Sequence, residues 1–273
     1  MTVWLDGAVV PADEARVSVF DHGLTVGDGV FETLKVVDGT PFALTRHLDR
    51  LDASARGLGL EPPARDRLVG AVGEVLAAAP CEPRQRLRMT LTGGVAPLGS
   101  GRGEGPPTLV LAVDGLAPWP ATTAVVTVPW TRNERGATAG VKTTSYAENV
   151  VALAAARSRG ASEALLANTR GELCEGTGSN VVMALGGRLL TPPLSSGCLA
   201  GVTRALLLAW CDVEEEVLGL DALERADEVA VLSSTRDVQP VHRVDDRDLP
   251  APGPLTARAA AVFAERSALE VDP

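Results

Sequence analysis

Lysine is the residue this sequence has least reason to lack and almost does. Of 25 basic residues only Lys35 and Lys142 are lysines; the rest are arginine. Histidine is scarce too. His22, His47 and His242 are too few and too scattered for a metal site, so no metal is expected. The four cysteines, Cys81, Cys174, Cys198 and Cys211, form no CxxC pair. A chain of 273 residues needs no staples, so they read as small apolar side chains of a reduced, cytoplasmic protein. There is no basic excess. The net charge is −10 with a pI near 4.9, which excludes nucleic acid and anionic membrane as partners but not small anionic substrates. No apolar run approaches the ~20 residues of a membrane span. The opening Met1-Thr2-Val3-Trp4-Leu5-Asp6 lacks the charged and apolar regions of a signal peptide.

What is present gains meaning against that background. Arginine stays protonated and cannot act as a nucleophile. A lysine amine can form an imine once deprotonated. A chain that uses arginine almost everywhere has kept an amine at Lys142, within Gly140-Val141-Lys142-Thr143-Thr144-Ser145-Tyr146.

Taken in order, Asp6-Gly7 punctuates a first hairpin. Val17–Phe20 reads as a short strand, followed by a loop through Gly23, Gly27 and Gly29 and a strand over 30–37. Thr45 is a plausible N-cap for a helix over 46–56, and a second helix spans 64–79. Arg86–Thr92 alternates as a half-buried strand does. A glycine-rich loop carrying Arg102 leads to a strand over 108–113. The stretch 115–122, with Pro118-Trp119-Pro120, reads as a linker between domains 1–114 and 123–273. Further strands are expected at 124–128, 164–167, 180–184, 188–190 and 227–232, with helices over 147–159, from 198 to 210 and from about 254.

Several features suit one ligand, an aromatic cation bearing a phosphate. Lys142 offers an amine. Glu175 offers a carboxylate in the glycine-flanked turn Glu175-Gly176-Thr177-Gly178-Ser179-Asn180. Gly201-Val202-Thr203 opens a helix, where free N–H groups and the dipole favour an anion. Ser233-Ser234-Thr235 ends a strand with hydroxyls, and Arg50 adds a cation. Pyridoxal 5'-phosphate (PLP) needs such a set: an amine, an acid for its ring nitrogen and a phosphate cup.

The order of these segments resembles the class IV, or fold-type IV, PLP enzymes, which include branched-chain aminotransferases, D-amino-acid aminotransferases and 4-amino-4-deoxychorismate lyases. The resemblance covers about residues 3–245. It rests on Gly27-Asp28-Gly29-Val30-Phe31-Glu32, His47-Leu48-Asp49-Arg50-Leu51, Lys142, Glu175–Asn180, Leu199-Ala200-Gly201-Val202-Thr203-Arg204 and Asp227-Glu228-Val229. It implies an α+β, two-domain, D-amino-acid-aminotransferase-like fold. A small N-terminal α/β domain would precede a larger C-terminal α/β domain with a barrel-like sheet, with PLP in the cleft between them. It also implies a homodimer.

By the same resemblance Lys142 is the lysine that binds PLP and the general acid/base. Glu175 pairs with the pyridine nitrogen. Arg50, Val202, Thr203 and Ser234 hold the phosphate, with Thr235 the second choice to Ser234. Tyr146 lies one residue out of register with an active-site tyrosine of the branched-chain enzymes, and a packing role is equally open. Within the family the closest pattern is the lyase, which gives 4-aminobenzoate and pyruvate. Thr33 replaces the glycine that follows Phe-Glu in branched-chain enzymes, and offers a hydroxyl. Phe31 stands where D-amino-acid enzymes carry tyrosine. Arg86, Arg102 and Arg236 are candidates to meet the lyase substrate's two carboxylates. The alternative is an aminotransferase for branched-chain or other amino acids.

Overall fold

The computed structural model describes residues 1–273. It divides into two units. The first holds Met1–Pro118, Val141–Ser145 and Asp272; the second holds Trp119–Gly140, Tyr146–Val271 and Pro273. The segment carrying Lys142, expected within 123–273, therefore belongs to the first unit.

In the first unit the strands are β1 (Thr2–Leu5), β2 (Ala8–Val10), β3 (Gly29–Val37), β4 (Thr40–Pro41), β5 (Arg84–Thr92) and β6 (Thr108–Gly115). They form one antiparallel sheet in the order β2-β1-β6-β5-β3-β4. The helices are the short α1 (His22–Thr25), then α2 (Leu44–Gly57) and α3 (Arg65–Ala78). Alternation decides the faces. Val30, Leu34 and Val36 of β3 and Leu87, Met89 and Leu91 of β5 join Leu48 and Leu51 of α2 and Leu68 and Val72 of α3 in one core. The intervening residues of β3 and β5 stand on the opposite face.

Two sequence expectations fail here. Val17–Phe20 is not a strand; Val17, Val19 and Phe20 are exposed in an irregular segment with no partner strand. The chain instead turns into α1, where the Asp21 carboxylate accepts the Gly23 N–H at 2.8 Å. Thr45 does not cap α2. The N-cap is Ala43, in the left-handed region at φ +53°, and Thr45 hydrogen-bonds Asp272 through its amide (2.9 Å) and hydroxyl (2.6 Å).

The second unit contains β7 (Thr123–Arg132), α4 (Ala147–Ser158), β8 (Glu163–Asn168), β9 (Leu173–Gly176), β10 (Asn180–Leu185) and β11 (Arg188–Thr191). After a 3₁₀ turn at Leu194–Ser196 come α5 (Val202–Trp210), β12 (Val213–Glu215), α6 (Ala222–Arg225), β13 (Glu228–Ser233), β14 (Asp237–Val244), β15 (Arg247–Asp248) and α7 (Pro254–Leu269). The sheet runs β12-β11-β10-β13-β14-β7-β8-β9, with β15 on β14. Leu173 of β9 and Leu190 of β11, far apart in that order, share one core cluster with Val181, Val229 and Val241. The sheet therefore curls round its own core, as the barrel-like expectation requires. On its other face the small residues Ala152 and Ala156 let α4 lie close against Val126, Ala164 and Leu166. Strands β9 and β14 were not foreseen: β9 is only four residues long, and Pro240 interrupts the β14 pattern.

Candidate active site

In the first unit the lysine segment is pinned by its backbone. The Lys142 carbonyl accepts the Phe31 N–H (3.0 Å), the Thr144 N–H donates to the Gly29 carbonyl (2.8 Å), and Val30 and Thr143 form a bridge. The Lys142 amide donates to the Ser54 hydroxyl on α2 at 3.3 Å. Close approach explains the glycines of the Gly27-Asp28-Gly29 motif. Gly27 has φ +69°, and a Cβ there would sit 2.6 Å from Ser145 Oγ. The result is a half-buried lysine whose Nζ lies 4.3 Å from the centroid of the Phe31 ring.

Arg50 is held by a buried acid. Its Nε and Nη2 donate to the two oxygens of Glu32 at 2.7 and 2.8 Å, and His47 Nδ1 lies 2.7 Å from Glu32 Oε2. Burial pushes the Glu32 carboxyl up, but the Arg50 charge and the hydrogen bonds from Arg50 and His47 prevail and bring it down to about 2. Burial holds His47 below its ordinary value, and the charges of Arg50 and Lys142 act the same way against the pull of Glu32. The signal in the sequence is a glutamate among Val30, Leu34 and Val36 on the core-facing side of β3, opposite a histidine and an arginine one turn apart on α2.

In the second unit the Glu175 carboxylate accepts the Leu199 N–H at 2.9 Å and Arg132 Nε at 3.2 Å. Arg132 is itself oriented by Asn149 Oδ1 at 2.7 Å. The turn after Glu175 is organised by a residue the sequence reading missed. Buried Glu163 accepts the Thr177 amide (2.9 Å), the Thr177 hydroxyl and the Ser179 hydroxyl (2.9 Å). Asn180 then donates to the Leu199 carbonyl at 2.9 Å. A Cβ at Gly201 would collide with Asn180 Oδ1, so any side chain there must displace Asn180.

Gly201 opens α5 with no side-chain cap, leaving the first amides, including those of Val202 and Thr203, without a capping side chain. Ser234 and Thr235 lie in the β13–β14 turn. Tyr146 immediately precedes α4 and is half-buried.

The three arginines proposed for substrate have other partners. Arg86 pairs with Asp114 at 3.2 Å on the surface. Arg102 forks onto both oxygens of Asp28 (2.8 and 2.6 Å) and bonds the Leu58 and Gly59 carbonyls, which ties the glycine-rich loop down. Arg236 donates to Ser162 and Gln239 and stacks 3.7 Å over Trp119. Sequence reasoning passed over Arg88, whose guanidinium lies 3.7 Å from the Phe31 centroid. The alternation of β5 sets Arg86 and Arg88 on one face, and only the register tells them apart.

Comparison with known proteins shows the family. The model of the family "Amino-transferase class IV" matches residues 29–244. The chain is 34% identical over 257 residues to a Methanocaldococcus jannaschii protein assigned as a branched-chain-amino-acid aminotransferase, covering 90% of this chain and 89% of that one. It is 26% identical to the aminodeoxychorismate lyase of Bacillus subtilis, covering 89% and 87%. The structure superposes with a TM-score of 0.90 on a branched-chain aminotransferase from Thermoproteus uzoniensis in complex with norvaline, at 28% identity over 97% of this chain and 94% of that one. The protein belongs to the class IV aminotransferases and has the fold-type IV architecture. The cofactor of that family is PLP. The residues present fit it: an amine at Lys142, a positioned carboxylate at Glu175, and a helix start made bare by Gly201.

Proposed function

We propose that the protein is a PLP-dependent aminotransferase, moving an amino group between a branched-chain or similar α-amino acid and a 2-oxo acid. The observation that carries the reading is the Lys142 amine, fixed by backbone pairing to β3 and set over the Phe31 ring. When bound, PLP supplies an electron sink for the carbon that bears the amino group.

The chain's own residues supply the rest. With PLP bound, Lys142 Nζ would take the proton from that carbon and hold it for return. Glu175, oriented by the Leu199 N–H and Arg132, holds a proton on the cofactor's ring nitrogen. The amides of Val202 and Thr203, with the Thr203 hydroxyl, receive the phosphate; Arg50 adds charge in an orientation set by Glu32. Ser234 or Thr235 adds a hydroxyl from the β13–β14 turn.

A second reading, 4-amino-4-deoxychorismate lyase, is favoured by Thr33, whose hydroxyl shares the strand face of Phe31. It is weakened by the engagement of Arg86, Arg102 and Arg236, the groups meant for its two-carboxylate substrate. The same reading includes a homodimer. In its favour, Val17, Val19, Phe20, Leu24, Val26 and Leu98 expose apolar surface within one unit.

The test is a panel of amino donors with 2-oxoglutarate, followed by keto-acid product, beside an assay of 4-aminobenzoate release from aminodeoxychorismate. Amino transfer that vanishes in Lys142→Ala supports the first reading. Fast 4-aminobenzoate release without transfer moves the assignment to the lyase.

A further inference from the structure

Arg102 lies in the glycine-rich loop between β5 and β6, and its guanidinium is used on two sides. Nε and Nη2 donate to the two oxygens of Asp28 at 2.8 and 2.6 Å. Nη1 and Nη2 donate to the carbonyls of Gly59 and Leu58, each at 2.7 Å. Leu58 is the C-cap of α2, and a helix leaves its last carbonyls without partners of its own. A cation there also suits the helix dipole. The Arg102 hydrogen bonds, with its charge and His22, hold the Asp28 carboxyl below its ordinary value against the effect of burial, so this clasp stays ionised.

Each side of the clasp leads towards the lysine or the phosphate cation. Asp28 precedes Gly29, whose carbonyl accepts the Thr144 N–H at 2.8 Å, two residues from Lys142. Along α2, Arg50, Ser54 and Leu58 follow at four-residue steps and so share one side of the helix. Ser54 accepts the Lys142 amide at 3.3 Å. Arg50 lies two turns, about 12 Å, before Leu58.

We infer, resting on the PLP placement proposed above and deepening it, that Arg102 is a positioning residue that sets the register of α2 against the lysine segment. It thereby fixes the span between the Lys142 amine and the Arg50 guanidinium, which one bound PLP must bridge. A planar fork with donors on both edges can hold a carboxylate on one side and two carbonyls on the other. PLP carries an aldehyde at one end and a phosphate at the other. Once one end is held, the second is gripped at a high effective concentration only if the span is right. The lysine segment keeps its own backbone bonds to β3 without Arg102. Loss of the clasp therefore relaxes the α2 end, and the phosphate is the part of the cofactor that loses its grip.

The full-length chain, stripped of cofactor, is titrated with PLP and, separately, with pyridoxal, which has the aldehyde but no phosphate. The visible absorption of the lysine–cofactor linkage reads both. The wild type is expected to bind PLP more tightly than pyridoxal. Arg102→Gln is expected to weaken PLP by about tenfold and to leave pyridoxal within about twofold. Asp28→Asn breaks one side of the clasp only; it should move PLP the same way by about threefold, and it serves if Arg102→Gln folds poorly. In an Arg50→Gln background, Arg102→Gln should have no further effect on PLP, because the two arginines act as one unit. A PLP affinity unchanged in both clasp variants overturns the inference. So does a parallel loss of PLP and pyridoxal, which a loosened fold alone would give. So does an Arg102→Gln loss in the Arg50→Gln background as large as in the wild type. Failure of the underlying placement shows in other measurements: the wild type binds PLP and pyridoxal alike, or Lys142→Ala keeps the absorption, and either result removes this inference with it. Whether the reaction is amino transfer or lysis is read by turnover and leaves these affinities untouched.

Discussion

Arg50 and Glu32 form a two-pronged pair between α2 and β3, at 2.7 and 2.8 Å, with the carboxylate fully buried and His47 on its second oxygen. The cation proposed for the cofactor's phosphate is thus preset by an acid that never meets solvent. Removing one partner of such a buried group strands the other, which is more costly than the pair's own net worth.

That pair predicts an acid limb in stability. Glu32 titrates near 2 when folded and at 4.5 by its ordinary value, so its contribution is complete above about 4.5 and is lost as pH falls towards about 2. The loss amounts to on the order of 3 kcal/mol. His47, held below 6.5 by burial, acts in the same direction: folding favours its neutral form, and stability falls as pH drops below 6.5. Urea unfolding between pH 3 and 8 should show stability falling below about 6.5 and more steeply below about 4.5. In Glu32→Gln the steeper part should become shallower, the rest being carried by other lowered carboxylates such as Asp28 and Glu134, on top of a loss of about 3–5 kcal/mol at pH 7. An unaltered pH profile in that variant would refute the assignment.

Lys142→Ala should cut amino transfer by about 10³-fold or more and remove the visible absorption of the lysine–cofactor linkage. Lys142→Arg should do the same despite keeping the charge, because guanidinium does not give up its proton at working pH. Absorption spectra and single-turnover rates check both variants.

Glu175→Gln should leave cofactor bound but slow proton removal by about 10²-fold, since a neutral amide no longer stabilises a proton on the ring nitrogen. A primary deuterium isotope effect on the α-carbon of the donor should rise as that step becomes limiting. Equal rates and equal isotope effects in variant and wild type would take Glu175 out of this role.

Gly201→Ala should weaken PLP by about tenfold or more and cost about 1–3 kcal/mol, because the new methyl meets Asn180 Oδ1. The φ at Gly201 is −64°, so backbone strain is not the cause. Gly201→Ala combined with Asn180→Ala should recover part of the stability; equilibrium dialysis of PLP and melting curves read both effects.

Much of the fold lies in local chemistry. Alternation marks β5, Asp6-Gly7 marks the first hairpin, Gly160 ends α4 at φ +70°, and Pro254 opens α7. What the sequence hides is long-range pairing. Val17–Phe20 has the composition of a strand but pairs in no sheet; its one backbone bond across the chain is the Phe20 carbonyl accepting the Ala96 N–H. The bond of Arg102 to Asp28 joins residues distant in the chain, so its engagement was invisible and a substrate role looked open. Arg86 and Arg88 have the same period, and only the register, with Lys35 opposite Arg86 and Thr33 opposite Arg88, tells their surroundings apart. Glu175 was legible from its turn, but Glu163, which shapes that turn, precedes it on another strand.

The excursion of Val141–Ser145 into the first unit bears on how the polypeptide could be divided. A fragment ending at Pro118 has the strand that seats the lysine but not the lysine. A fragment beginning at Trp119 has the lysine but neither the Phe31 N–H nor the Gly29 carbonyl that seat it. Co-expressed halves would have to recombine before any reactive amine stood in place. The chain's connectivity therefore makes this centre a coincidence detector for complete synthesis, silent in either part alone.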